Sequence, residues 1–283
     1  MTIIEQIKTE FKCENGVYYL SLRRVTSNSE PVRNSGRLCG YESFQDIYIK
    51  VRNAEGRLYK DSEVKLLLDA DKTHRHYKEW QIRKCSLKML SAYLDIKPKN
   101  KTVSELGCGN GWLSNKLAEL GFSEVIGLDV NVTELEQAAR VFSDRQNLLF
   151  VYGKPTLNLS LSQKGTAEAF KFDYIILSSV IAYFKDLPGL IDLLLNILND
   201  GGEIHITDSP FYTDTNKARE RSIKYYNELG FPEMSEHYYH HSLDDLKKFK
   251  FSILYNPVSV INKIKRALSS PIPPFHWIRI PSL

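Results

Sequence analysis

Residues 102 to 111 read Thr-Val-Ser-Glu-Leu-Gly-Cys-Gly-Asn-Gly, and a second segment, Val125-Ile126-Gly127-Leu128-Asp129, puts a carboxylate eighteen residues beyond the last of those glycines. The first segment predicts an apolar strand, an acidic residue near its end and a Gly-rich turn that opens a helix. Trp112, Leu113, Leu117 and Leu120 recur there at helical spacing, and Gly121 stops the run. The second segment predicts a buried strand ending in Asp129. Such a strand-turn-helix-strand unit can hold an adenosine-containing ligand, because glycines let it approach the backbone and a carboxylate can accept hydrogen bonds from both ribose hydroxyls.

The pattern departs from that of dinucleotide sites. Those favour a small residue where this chain has Trp112. A pyrophosphate would also meet Glu105, an anion two residues before Gly107. S-adenosylmethionine fits better: it has no phosphate, and its positive sulfonium and amino group are stabilised by a carboxylate beside the turn. Glu105-Leu106-Gly107-Cys108-Gly109-Asn110-Gly111 followed by Asp129 resembles the first two motifs of class I S-adenosylmethionine-dependent methyltransferases. The resemblance implies that Glu105, Gly107, Cys108, Gly109, Gly111, Asp129, Val130 and Ser178 surround this cofactor. It also implies that the helix before the Gly-rich strand covers it, which makes Tyr77, Trp80 and Arg83 further candidates.

The rest of the chain alternates strand and helix as a parallel sheet requires. Thr133-Glu134-Leu135-Glu136 reads as a capping box opening a helix with Leu135, Ala138, Ala139 and Phe142 on one face. Leu148 to Val151 reads as a third strand and Phe172 to Ser179 as a fourth, apolar enough to be covered on both sides. Asp186 can cap a helix carrying Leu190, Leu194, Ile197 and Leu198; Asn199-Asp200-Gly201-Gly202 then turns into a fifth strand, Glu203 to Thr207. Phe251 to Tyr255 and Phe275 to Ile280 read as an antiparallel edge pair. The expected fold is α/β: a Rossmann-like, seven-stranded, mostly parallel sheet with helices on both faces. It is expected over residues 73–283, preceded by an N-terminal extension or cap over residues 1–72 that contains a possible strand, Val17 to Leu22, and a charged helical stretch from Tyr41 to Leu67.

With 283 residues and 42% hydrophobic content, the chain can bury one large core. It has no apolar run of the roughly twenty residues that a membrane span needs, and its first residues lack a secretory pattern, so a cytoplasmic location is expected. The four cysteines form no C-x-x-C pair, and no metal is expected. Net charge is only +4. Two basic runs, Lys247-Lys248-Phe249-Lys250 and Lys263-Ile264-Lys265-Arg266, can face an anionic partner, though a solvated helix face is the simpler reading.

The acceptor side is less constrained. After the third strand the family often places an Asp that accepts from the adenine amino group, but this chain has Lys154, and an ammonium cannot accept. After the fourth strand, Ser178 to Phe184 lacks the Asp/Asn-Pro-Pro-Tyr type motif of nucleic-acid amino methyltransferases. Asp208 ends the fifth strand, where ligands of open α/β sheets bind, and is the candidate general base. Tyr183, Tyr212, His237, His240 and His241 are candidate acceptor-binding residues, while His205, in mid-strand, reads as core. The expected reaction is methyl transfer to a small or carrier-bound metabolite at O, N or C. The alternatives are an RNA methyltransferase and a non-catalytic S-adenosylmethionine-binding regulator.

Overall fold

A computed structural model describes residues 1–23, 41–153, 170–268 and 271–282. The chain opens with helix α1 (Ile3–Glu10), whose Thr2 and Glu5 form a reciprocal capping box. Strands β1 (Phe11–Glu14) and β2 (Val17–Arg23) follow as an antiparallel hairpin across Asn15-Gly16. Then come helices α2 (Tyr41–Ala54), the single turn α3 (Asp61–Val64) and the long α4 (Tyr77–Asp95). The alternating part is β3 (Thr102–Leu106), α5 (Trp112–Glu119), β4 (Glu124–Asp129), α6 (Val132–Val141), β5 (Leu148–Tyr152), β6 (Phe172–Ser178), α7 (Leu187–Leu195) and β7 (Leu198–Ser209). Helix α8 (Thr215–Leu229), strand β8 (Ser252–Tyr255), helix α9 (Val260–Ala267) and strand β9 (His276–Pro281) complete it.

One sheet takes all nine strands of the described residues, in the order β1-β2-β5-β4-β3-β6-β7-β9-β8. The run from β5 to β7 is parallel, and β9 and β8 close the far edge antiparallel. The seven expected strands are therefore present, and two more correct the count. β1 and β2 extend the sheet because Val17, Tyr18 and Tyr19 pair in parallel with Phe150, Val151 and Tyr152. The N-terminal extension thus divides: its hairpin continues the sheet, while α2 lies over the ends of the strands.

β6 shows why the sheet must be covered on both sides. All seven of its residues are buried. Successive side chains go to opposite faces: Ile175 and Leu177 join a cluster with Leu190, Leu194 and Ile206, whereas Tyr174 and Ile176 join Leu90, Leu94, Leu113 and Leu117. Each fully buried Leu or Ile contributes about 1.5–3 kcal/mol relative to exposure, so these two faces hold the fold together. Local caps differ in one place from the sequence reading. Asn131, not Thr133, caps α6 by accepting from the Glu134 amide at 3.2 Å, because the helix starts at Val132. Asp186 caps α7 through the Gly189 amide as expected.

Candidate active site

The parallel strands end at one cavity of about 960 Å³. Its floor is the turn from Gly107 to Asn110. The amides of Gly107 and Cys108 both donate to the Leu128 carbonyl, at 2.8 and 3.2 Å, which ties the turn to the neighbouring strand. Asp129 then fixes it from the side: one carboxylate oxygen accepts from the Gly109 amide and the other from the Asn131 amide, each at 2.8 Å. Gly107, Gly109 and Gly111 all have positive φ, between 50° and 75°, where a side chain is strained. Their surroundings separate their roles. A Cβ on Gly111 would stand 2.6 Å from the Phe150 ring and 2.8 Å from Ala138, so that glycine serves helix-strand packing. A Cβ on Gly109 would meet nothing nearer than Glu134 at 3.5 Å, so that backbone faces open cavity.

Three carboxylates surround this floor. Glu105 is buried and accepts from Ser114 Oγ at 2.5 Å; burial pushes its pKa up to about 8. Glu134 is raised by burial to about 7, against the pull of Arg52, whose guanidinium lies 3.8 Å away. Burial also raises Asp129, opposed by the backbone N–H groups that it accepts. The floor has no cation of its own among the described residues: Arg52, beside Glu134, comes from α2, and Arg83, which acts on Glu105, from α4. A cationic ligand would favour ionisation of all three acids.

The opposite wall comes from five segments. α4 contributes Glu79, Trp80 and Arg83; Trp80 packs edge-on against Trp112, and Arg83 bonds Glu79 at 3.1 Å. α2 contributes Phe44, Tyr48 and Arg52, four residues apart and therefore on one helix face. Tyr183, after β6, and Tyr226, on α8, complete an aromatic chamber with Tyr238.

Asp208 stands where floor and chamber meet. It and Ser179 are non-glycine residues with positive φ, 49° and 57°, at the ends of adjacent strands. Ser179 Oγ donates to the Asp208 carbonyl at 3.0 Å, and the Asp208 carboxylate accepts from Ser86 of α4 at 2.5 Å and from Ser178 of β6 at 3.5 Å. Burial raises its pKa, with Arg83 and the serines opposing. Strained backbone at a cleft is commonly retained for function. Asp208 caps no helix; Asp214 caps α8.

Of the residues singled out from sequence, Glu105, Gly107, Cys108, Gly109, Asp129, Val130, Ser178, Asp208, Tyr183 and Tyr212 line this cavity. Gly111 does not, for the packing reason above, and Tyr77 opens α4 two residues before the lining begins at Glu79. The three candidate histidines are also outside it. His241 Nε2 lies between the carbonyls of Ile181 and Phe184, at 3.0 and 2.9 Å, so it donates to the backbone. His240 pairs with Ser222 Oγ at 2.7 Å, and the His237 ring packs at a tilt against Phe44. His205 is fully buried between Glu203 and Trp277. Lys154 and the loop from 156 to 168 lie outside the described residues. Sequence reasoning missed the contribution of α2, although Phe44, Tyr48 and Arg52 at i, i+4 and i+8 were a readable stripe.

A family model described as a methyltransferase domain matches residues 76–249, more than half of the chain. Over 102 residues, 36% of this chain and 42% of the relative, the sequence is 31% identical to a ubiquinone biosynthesis O-methyltransferase of Histophilus somni. It is 29% identical over 119 residues to the protein of the same description from Glaesserella parasuis, covering 41% of this chain and 50% of that one. The matched part thus spans at most half the length of these curated relatives. A solved magnesium protoporphyrin IX methyltransferase from Synechocystis, with bound S-adenosylhomocysteine, aligns over 85% of this chain and 97% of its own at 19% identity and a TM-score of 0.49.

Proposed function

This chain belongs to the methyltransferase-domain family; we propose that it is a class I S-adenosylmethionine-dependent methyltransferase whose acceptor is a small or carrier-bound metabolite, methylated at oxygen, nitrogen or carbon. The observation that carries this reading is the continuity of the cavity. A volume of about 960 Å³ runs from the Gly-rich turn to the tyrosine-walled chamber, at the upper end of what small-ligand pockets occupy, which leaves room for a second small molecule beside the cofactor.

The residues fit the cofactor. Gly109 offers open backbone, Asp129 a carboxylate beside it, and Glu105 an anion whose ionisation a cation would favour. When bound, S-adenosylmethionine supplies an electrophilic methyl group carried on a positive sulfur. What remains for the chain is alignment, exclusion of water and, for a hydroxyl or ammonium acceptor, removal of a proton. We assign the cofactor contacts to Glu105, Gly107, Cys108, Gly109, Asp129, Val130 and Ser178. Asp208 is the proposed base, since burial brings its pKa nearer to neutrality and the serines on two elements hold its carboxylate in place. Tyr183, Tyr212, Tyr226 and Tyr238 would bound the acceptor, with ring faces for a planar or apolar body and hydroxyls for polar groups.

RNA as acceptor is disfavoured by the state of the first basic run: Lys247 pairs with Asp244, and Lys248 with Asp192. The test is to incubate the protein with methyl-labelled donor and a cell extract divided into metabolite, RNA and protein fractions. Label is expected in the metabolite fraction. Label confined to RNA, or donor retained without transfer to any fraction, would overturn the proposal.

A further inference from the structure

Among the described residues, thirteen large apolar side chains are exposed, and seven of them fall within residues 253–268. Scattered exposed apolar residues need no explanation, but a concentration of this kind marks an interaction surface. Its centre is α9, which has no buried residue: Val260, Ile261, Ile264 and Leu268 are 74, 66, 55 and 75% exposed.

A surface helix ordinarily turns its apolar stripe to the core and its polar face outward. α9 is mounted the other way round. Asn262 and Arg266, four residues apart and hence on one face, tie it to the loops on either side of it: Asn262 donates to the Asn256 carbonyl at 2.8 Å, and Arg266 to the carbonyls of Pro257 and Pro273 at 3.1 and 3.4 Å. Val260, Ile264 and Leu268 form the row that points away, with Ile261 beside it. Lys263 and Lys265 flank that row on either side. Along the chain the charge of this segment has one sign, since no Asp or Glu occurs in the sequence after Asp245.

We propose that α9 lies in the headgroup layer of an anionic lipid bilayer and docks the protein there peripherally. Eight residues are far too few to span a bilayer, but an apolar row edged by lysines matches what an interfacial helix needs. The apolar side chains enter the acyl boundary, and the lysine stems reach up to the phosphates. A second copy of the chain fits less well, since a two-fold pairing of this face would bring like-charged lysines together. Nucleic acid would leave the apolar row without a partner. The surface is linked to the cavity through the chain: Pro274 and Phe275, between α9 and β9, line its wall.

The test is vesicle co-sedimentation of the full chain, with phosphatidylcholine alone and with equal parts phosphatidylcholine and phosphatidylglycerol. Binding to the anionic vesicles is expected to exceed that to neutral ones by about tenfold or more and to weaken as salt rises. Ile261→Ser/Ile264→Ser and Lys263→Gln/Lys265→Gln should each reduce it about tenfold. All four positions are exposed, so melting temperature and donor affinity should stay at wild-type values. Three results would overturn the proposal: no binding to anionic vesicles, both variants binding like wild type, or a lipid-free dimer that Ile261→Ser/Ile264→Ser converts to monomer.

Discussion

Asp208 combines three properties that seldom meet by accident: a left-handed backbone at φ 49°, a buried carboxylate, and hydroxyl donors on two separate elements. A turn residue needs only the first of these, and a helix cap would need a helix, which Asp214 already caps. Asp208→Asn keeps the size of the side chain, and Asn also tolerates positive φ. The amide cannot take a proton, so turnover should fall by about 10²–10⁴, as for a lost general base. Donor affinity and melting temperature should change little. Isothermal calorimetry with S-adenosylhomocysteine, thermal denaturation and a turnover assay separate the cases. Unchanged turnover would remove Asp208 from the chemistry, and lost donor binding would make it part of the cofactor site instead.

At the scale of elements, α2, α8 and the short 3₁₀ segment Pro232–His237 form a roof with a small cluster of its own, Val51, Tyr226 and Met234. That cluster is modest beside the two that flank the sheet, and elements with few buried apolar contacts open locally at low free energy. Because Phe44, Tyr48 and Arg52 line the cavity, ligand binding should slow amide exchange over residues 44–54 well beyond its effect on α1, whose first turn is bonded to Glu124 at the start of β4, the end of that strand away from the cavity. Hydrogen-exchange mass spectrometry with and without S-adenosylhomocysteine would measure this, and equal protection of both helices would deny α2 a covering role. The same contrast explains what the sequence made legible. β3 to β7 announce themselves because each is an apolar run bounded by turn residues, and the Gly-rich turn carries its geometry in its own glycines. The roof does not, because Phe44 and Tyr183 meet across some 140 positions of chain, and no local pattern encodes that encounter. The His237 to His241 run misled for the converse reason: a local cluster of imidazoles suggested chemistry, yet two of them are committed to bonds with Ser222 and with the carbonyls of Ile181 and Phe184. The hairpin β1-β2 was half visible, since Val17 to Leu22 reads as a strand but nothing in it names β5 as its partner.

For the whole molecule, the buried acids set how stability varies with pH. Glu203 is bonded by His205 and Tyr93, and although burial opposes them, they and Lys97 hold its pKa down to about 2. Its folded value lies below its unfolded one, so its contribution is present above the ordinary carboxylate range and is lost as pH falls through the folded value. Glu105 and Glu134 do the opposite. Their folded values, about 8 and about 7, lie above the unfolded 4.5, so the native state holds more protons across that interval. The stability they favour is complete below about pH 4.5 and drains away as pH rises through 7 to 8. The cofactor-free protein should therefore melt highest near about pH 5 and lose stability on both sides. Glu105→Gln, which keeps the hydrogen bond from Ser114 without the titration, should flatten the alkaline limb. The donor reverses the sign on that limb. Its cationic sulfonium and ammonium favour the ionised acids, so binding must expel protons, and affinity should rise with pH between about 6 and 8. Calorimetry of S-adenosylmethionine binding at pH 7 in phosphate and in Tris would detect those protons as a difference in heat that the ionisation enthalpies of the two buffers account for. Equal heats in both buffers, together with a melting temperature indifferent to pH between 5 and 8, would mean that Glu105 and Glu134 are ionised in the free protein and that the floor of the cavity is better hydrated than its burial implies.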